Sequence, residues 1–304
     1  MLKYSCLFLV LFVAPAMLAV SASTSEPAVG GWAAAEMSRL GLVPLVETIR
    51  VGGEGVAAGQ MNWTEGCVVA VGEGKLRAAT GQQLEMALRA ARLSAVRNAI
   101  LMTEGVRMGP GGRVNIKDAS IEVDAIVKDF REVSSDYDAR TETATVRMSV
   151  PMHGASGLLR LGKASAAKSS KPYAWPAAKA AKAASVIVID TGGVGVEPCL
   201  FPRVLTEDGQ VLLDAGEQSP ERPLSRPPLT YCRSTSAASR PAGGNGAVIL
   251  KAKSGGAGGA IVIDGGSLQL LSACANAQQL MADGKVLVVC DSPDSAGKTQ
   301  PGVK

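Results

Sequence analysis

Residues 67–104 read CVVAVGEGKLRAATGQQLEMALRAARLSAVRNAILMTE, and this stretch sets the fold of the first half of the chain. Cys67 to Val71 is a short apolar run with the β-branched content of a strand, and Gly72-Glu73-Gly74 is expected to stop it. Gln82 to Glu104 then strings together Leu, Glu, Met, Ala and Arg, all strong helix formers, with Gly105 in place to end the helix. Leu84, Ala87, Leu88, Ala91, Ala95, Ala99 and Met102 recur at helical spacing and form the stripe that packs on a sheet.

Working outward, Pro110-Gly111-Gly112 marks a turn, and two long strands follow at Ile121 to Tyr137 and Thr141 to Met152. Ala144, Val146, Met148 and Val150 alternate with Thr143, Thr145, Arg147 and Ser149, the period of two that a half-buried antiparallel pair requires. Residues 63–153 therefore read as a β-α-β-β unit, one long helix laid on a small sheet. Before it, 23–62 is rich in Gly and Ala and reads as a loosely structured lead-in.

The helix carries a second stripe that this fold does not use. Met86, Leu93 and Ile100 repeat every seven residues nearly opposite the first stripe, with Arg89, Arg92 and Arg97 interspersed. A helix covering one face of a sheet needs only one apolar face. Two readings stay open: coverage by the lead-in or the second domain, or a subunit interface.

At residue 154 the composition changes. Through Ala184 the chain is rich in Ala, Ser and Lys, with Lys163, Lys168, Lys171, Lys179 and Lys182 and no acidic residue. This reads as an interdomain linker. A lysine run is ordinarily a solvated surface; the alternative is contact with anionic headgroups or peptidoglycan, anchored by Tyr173 and Trp175.

Residues 185–291 form a second domain. Val186 to Ile189, Ala247 to Leu250, Ala260 to Ile263 and Val286 to Val289 are unbroken apolar runs, the mark of strands buried on both faces. Ser267 to Ala282 is spaced for one helix, which Asp264 or Ser267 can cap. The Pro- and Arg-rich stretch Gln218 to Gly246 reads as a surface excursion, and 292–304 as a flexible tail. The fold class is α/β: an α+β first domain followed by a mixed α/β second domain.

The start of the chain addresses it outward. Lys3 precedes an apolar run from Leu7 to Val20, and Val20-Ser21-Ala22 places small residues where a signal peptidase cuts. The expectation is a signal peptide over 1–22, cleaved after Ala22, with an uncleaved N-terminal anchor as the alternative. Cys6 lies before the apolar run and cannot become a lipidated first residue. The mature protein is thus expected to be a soluble periplasmic or secreted protein without a lipid anchor.

Composition narrows the function. Of 304 residues 47% are hydrophobic but only 4% aromatic, so the cores must be aliphatic. A net charge of +4, with basic residues not interleaved with aromatics, gives no nucleic-acid groove. In an oxidising compartment some pairing is expected, with Cys199–Cys232 and Cys274–Cys290 taken from among connectivities that the sequence leaves open, and Cys67 as a buried thiol. With one histidine and no CxxC pair, no metal site, cofactor or catalytic group is assigned. Asp190-Thr191-Gly192-Gly193-Val194-Gly195 follows a strand, but Pro198 disfavours the helix that phosphate binding needs there. Asn62-Trp63-Thr64 fits the glycosylation pattern, which arises easily by chance.

Trp63, Gly72-Glu73-Gly74, Ala90-Ala91-Arg92, Ala95-Val96-Arg97-Asn98-Ala99, Gly105-Val106-Arg107 and the hairpin from Ile121 to Met152, taken in order, carry a resemblance. Over about ninety residues the first domain resembles a family of small bacterial outer-membrane-associated lipoproteins and flagellar proteins of the FlgP type, to which the N-terminal module of FlgT is related. The second domain is similar to a region attached to that module in some relatives, through Val188-Ile189-Asp190, Gly193-Val194-Gly195-Val196-Glu197-Pro198, Pro202-Arg203-Val204-Leu205 and Asp208-Gly209. The resemblance implies a non-enzymatic structural or assembly role in the envelope, self-associating or bound to envelope or flagellar proteins, and transfers no catalytic residue. Departing from the lipoprotein members, this chain lacks an acylatable cysteine. The alternative function is a periplasmic module binding peptidoglycan, lipid or a small ligand.

Overall fold

The computed structural model describes residues 34–50, 57–76, 80–103, 106–109, 112–113, 130–153, 157, 171–176, 182–215, 227–234, 246–256 and 260–290. In chain order these hold helix α1 (Ala34–Arg39), β1 (Leu42–Pro44), β2 (Val46–Arg50), β3 (Ala57–Asn62), β4 (Cys67–Lys75), helix α2 (Gly81–Thr103), β5 (Arg107–Gly109) and β6 (Gly112–Arg113). The first half ends with β7 (Arg131–Asp138) and β8 (Thr143–Pro151). The second half comprises β9 (Val186–Asp190), β10 (Arg203–Leu205), β11 (Val211–Asp214), β12 (Thr230–Ser234), β13 (Ala247–Gly256) and β14 (Ala260–Ile263). Helices α3 (Gly265–Ser272) and α4 (Ala277–Ala282) then lead into β15 (Val286–Cys290). The fold is mixed α/β.

A five-stranded antiparallel sheet in the order β2-β3-β4-β8-β7 carries α2 on one face. Ala87, Ala91, Ala95 and Ala99 are fully buried on the helix. Opposite them β4 presents Gly72 and Gly74. A Cβ on Gly72 would lie 2.1 Å from the Ala95 nitrogen, and one on Gly74 would lie 2.3 Å from the Ala87 oxygen. The two glycines therefore do not stop β4, as expected from sequence. The strand runs through them, because removing both side chains lets the helix backbone settle onto the strand.

Thr80 starts α2 with a capping box: its hydroxyl accepts from Gln83 N at 3.3 Å, and Gln83 Oε1 accepts from Thr80 N at 3.0 Å. Asn98 Nδ2 donates to Val71 O at 2.7 Å and fixes the other end on the same strand. Glu104 and Gly105, the expected helix end, lie outside the described residues, as does the 121–129 part of the expected first hairpin strand. The hairpin itself is β7–β8. Asp138 holds its turn by accepting from Arg140 N at 2.8 Å and Thr141 Oγ1 at 2.9 Å.

The second sheet has eight strands in the order β1-β12-β15-β9-β13-β14-β10-β11. Its β12, β15, β9 and β13 run parallel, and β9 and β15 are buried along their whole length, as their unbroken apolar runs predict. The expected helix Ser267–Ala282 is instead two short helices. Asn276 sits in the break and grips the Ala184 backbone, accepting from its N at 2.9 Å and donating to its O at 2.8 Å. Asp264 caps α3 by accepting from Ser267 N at 2.6 Å.

Two expectations about organisation change. The stretch Gln218 to Gly246 is not simply a surface excursion: within it β12 joins the sheet, with Leu229, Tyr231 and Cys232 buried. Nor is 23–62 a loose lead-in over its described residues. There Met37 of α1, Leu40 after it and Leu42 of β1 pack with Val186, Val188, Leu287 and Val289, and β1 extends the eight-stranded sheet by pairing with β12. After one residue, Leu45, the chain begins β2 of the other sheet. The first sheet is therefore drawn from residues 46–151, set between the two parts of the second unit, and the expected start at 63 excluded β2 and β3.

Leu45 and Thr64 make the joint. The buried Thr64 hydroxyl accepts from Leu45 N at 2.8 Å and donates to Tyr231 O at 2.5 Å. Trp63 meets the Tyr231 ring edge-to-face at 5.9 Å. One core runs through this point, from Val68, Ala70 and Val150 to Tyr231, Ile187 and Leu250. In the linker, 171–176 is also built in. Tyr173 N donates to Val211 O at 2.9 Å and Val211 N to Lys171 O at 3.0 Å, which covers the outer edge of β11.

Two substitutions probe these contacts in urea denaturation. Gly72→Ala should destabilise the protein by about 1–3 kcal/mol through overpacking between β4 and α2; an unchanged midpoint would refute the close approach. Thr64→Val, which keeps the shape but strands two buried backbone groups, should cost about 1–3 kcal/mol for each group left unpaired. A neutral result would show that the hydroxyl does not bind the two sheets.

Candidate interaction surface

The six residues singled out on α2 share its outer side, and the structure divides them in two. At ~100° per residue Met86, Leu93 and Ile100 fall within about 40° of one another, with Arg89 and Arg97 on either side. Met86 is 56% exposed and Leu93 66%, while Ile100 is half-buried. Among the described residues neither the second unit nor the lead-in covers Met86 or Leu93. Arg89 and Arg97 are exposed and make no ion pair among the described residues.

Arg92 belongs elsewhere. It turns toward β7, where Nε donates to Glu132 Oε2 at 2.7 Å and Nη1 to Glu85 Oε1 at 3.0 Å. Hydrogen bonds to Glu132 and then Glu85 hold its guanidinium above its ordinary pKa, and the Glu132 carboxyl is lowered by Arg92 first and Ser135 second. Being solvent-exposed, this network positions side chains more than it stabilises the fold. Sequence reading missed Val133, 60% exposed on β7 beside a β-bulge at Glu132/Ser134. No periodic signal marks it, since the bulge breaks the alternation there.

The cysteine pairs drawn from the sequence are not formed: none of Cys67, Cys199, Cys232, Cys274 and Cys290 is in a disulfide. Tyr231 and Cys232 are consecutive on β12 and point to opposite faces. Cys199 lies with the Tyr231 hydroxyl, its N donating to it at 3.2 Å, whereas Cys232 packs against Leu42 and Val289 on the other face. Bridging Cys199 to Cys232 would have to cross the sheet. Cys274 is held at the entry to β9 through Asn276 and Ala184, and Cys290 lies beyond the Val289–Asp190 pair at the strand's far end. Six residues of strand separate these levels, roughly 20 Å, far beyond a disulfide's reach. Burial, with Glu65 second, pushes the Cys67 thiol up to about 11, so it is a poor nucleophile.

The remaining chemical candidates are structural. In the Asp190–Gly195 turn, Gly192 N donates to Asp190 Oδ1 at 3.0 Å and Thr191 Oγ1 to Val289 O at 2.7 Å; no helix follows. Asn62 Oδ1 accepts from Thr64 N and Glu65 N, and the Thr64 hydroxyl is the sheet joint, so the glycosylation pattern is occupied by folding contacts. Tyr173 and Trp175 are packed edge-to-face at 5.2 Å against the core, with the Tyr173 hydroxyl on Ser272 Oγ at 2.9 Å, rather than standing free as anchors. Among the described residues no group of three His, Cys, Asp or Glu is arranged to hold a metal, and no helix is long and apolar enough to cross a membrane.

Comparison with known proteins places the eight-stranded unit. The family described as Treponema pallidum Tp0624, second domain, matches residues 186–292, and this part of the chain is similar to it. No curated protein matches the sequence.

His153, at the end of β8, supplies a pH test of the fold. Its ring lies over Gly66, its Nδ1 is buried without a hydrogen-bond partner, and burial lowers its pKa from 6.5 to about 4. The unfolded chain takes up this proton below about pH 6.5 but the folded protein only below about pH 4. Stability should therefore fall as pH drops between those values, by at most about 3 kcal/mol, and fall no further from this group below pH 4. In urea midpoints measured across that range, His153→Gln should remove this part of the slope. A slope that survives intact would place its origin in other groups.

Proposed function

We propose that this chain is a non-enzymatic structural or assembly protein of the bacterial cell envelope, exported by its N-terminal signal, that works through the outer face of α2. The observation that carries the reading is the pairing of Met86 and Leu93, each more than half exposed, on a helix whose opposite side is already fully buried on the sheet. A monomeric fold gains nothing from apolar side chains there, and such exposed residues mark contact faces when they line up.

The similarity of residues 186–292 to a treponemal protein's second domain supports a bacterial setting. The resemblance of the first unit to outer-membrane-associated proteins of the FlgP type supports the envelope within it and makes the outer membrane or the flagellar base the place to look. The nucleotide-binding alternative loses ground because the Asp190 turn closes on itself and no helix follows it.

Immunoblots of envelope, flagellar basal-body and soluble periplasmic fractions test the reading. Wild-type protein should be recovered with the envelope or the basal bodies. Leu93→Glu, exposed enough to change stability by only about 0.5 kcal/mol, should move to the soluble fraction. Recovery of both proteins as soluble monomers would sink the assembly role and favour a soluble binding module.

A further inference from the structure

We propose that the outer face of α2 docks on an anionic phospholipid bilayer, with Met86 and Leu93 entering the headgroup boundary and Arg89 and Arg97 meeting lipid phosphates. The inference rests on the envelope reading above and names the partner of that face.

Charge selects the partner. Gln82, Met86, Arg89, Ala90, Leu93, Arg97 and Ile100 make up the outward face, and none is acidic. Glu85 and Glu132 are both turned to Arg92. Among the described residues Arg89 and Arg97 have no carboxylate partner, so the described face is apolar and cationic together. Two copies meeting through this face would bring four arginines into one contact without a counter-charge, which opposes a symmetric dimer. An anionic surface supplies what is missing.

Shape agrees. A helix lying on a sheet presents a ridge, and from Met86 to Ile100 the ridge is about 21 Å long. A protein partner would need a matching groove, whereas a bilayer accepts a straight ridge along its plane. Arginine stems lie along the apolar surface while the guanidinium groups reach phosphate, the arrangement of interfacial helices. Among the described residues no helix is long and apolar enough to cross a membrane.

The experiment is co-sedimentation of the purified exported protein with phosphatidylcholine vesicles, with and without phosphatidylglycerol. The wild type should pellet only with the anionic vesicles, and less so as salt is raised. The pair Arg89→Glu and Arg97→Glu should weaken partitioning on the order of thirty-fold or more, and Leu93→Ser should weaken it while leaving the melting curve unchanged. Equal binding to neutral vesicles, no binding to either, or full binding by the folded arginine pair would overturn the proposal. If vesicles fail while the protein still fractionates with the envelope in a Leu93-dependent way, the lipid partner is wrong and the assembly reading stands. If fractionation fails too, both go.

Discussion

The buried Thr64 hydroxyl and the single residue Leu45 are the corner on which this fold turns. β1 ends in one sheet and β2 begins in the other with only Leu45 between them, so the two sheets cannot separate without breaking the chain's own path. Thr64 fixes the angle by accepting from Leu45 and donating to the Tyr231 carbonyl in the opposite sheet. Because this hydroxyl is out of water and satisfied on both sides, it holds position at little cost, whereas either partner alone would be a buried orphan. Trp63 beside it seals the joint with its ring against Tyr231.

The same economy of space explains the helix. Gly72 and Gly74 on β4 and the alanines of α2 remove nearly every side-chain atom between strand and helix, and the contact is backbone against methyl. Packing this close uses up only the narrow alanine side. Met86 and Leu93, on the opposite side of the helix, lie outside this packing and stand more than half exposed. The capping box at Thr80 and the Asn98 bond to Val71 hold the helix in register, so the outer face is rigidly presented.

How much of this could be read from the chain varies with the range of the interaction. The period of two in Thr143 to Val150 and the helical spacing of Ala87, Ala91 and Ala95 gave strand and helix directly, because both patterns arise from one sheet face or one helix side. The outer stripe was visible for the same reason. The GEG triplet was misread as a stop, since glycine ends strands as often as it thins them, and only the helix overhead tells the two apart. Splitting of the expected 267–282 helix turned on Asn276 reaching Ala184, some ninety residues away in sequence. The cysteine pairings failed likewise: spacing says nothing of which sheet face a thiol takes or at which end of a strand it lies.

By itself the sequence determined the α/β class, the long helix after β4, the strands buried on both faces and the odd second stripe on α2, all of which follow from local periodicity and propensity. Only the tertiary structure decided that α1 and β1 complete the distant sheet, that β12 is drawn from a Pro- and Arg-rich stretch, and that Met86 and Leu93 stay uncovered. Those outcomes depend on which edges and faces the rest of the chain leaves open. A three-residue strand such as β1 has no pattern of its own and takes its form from β12 beside it.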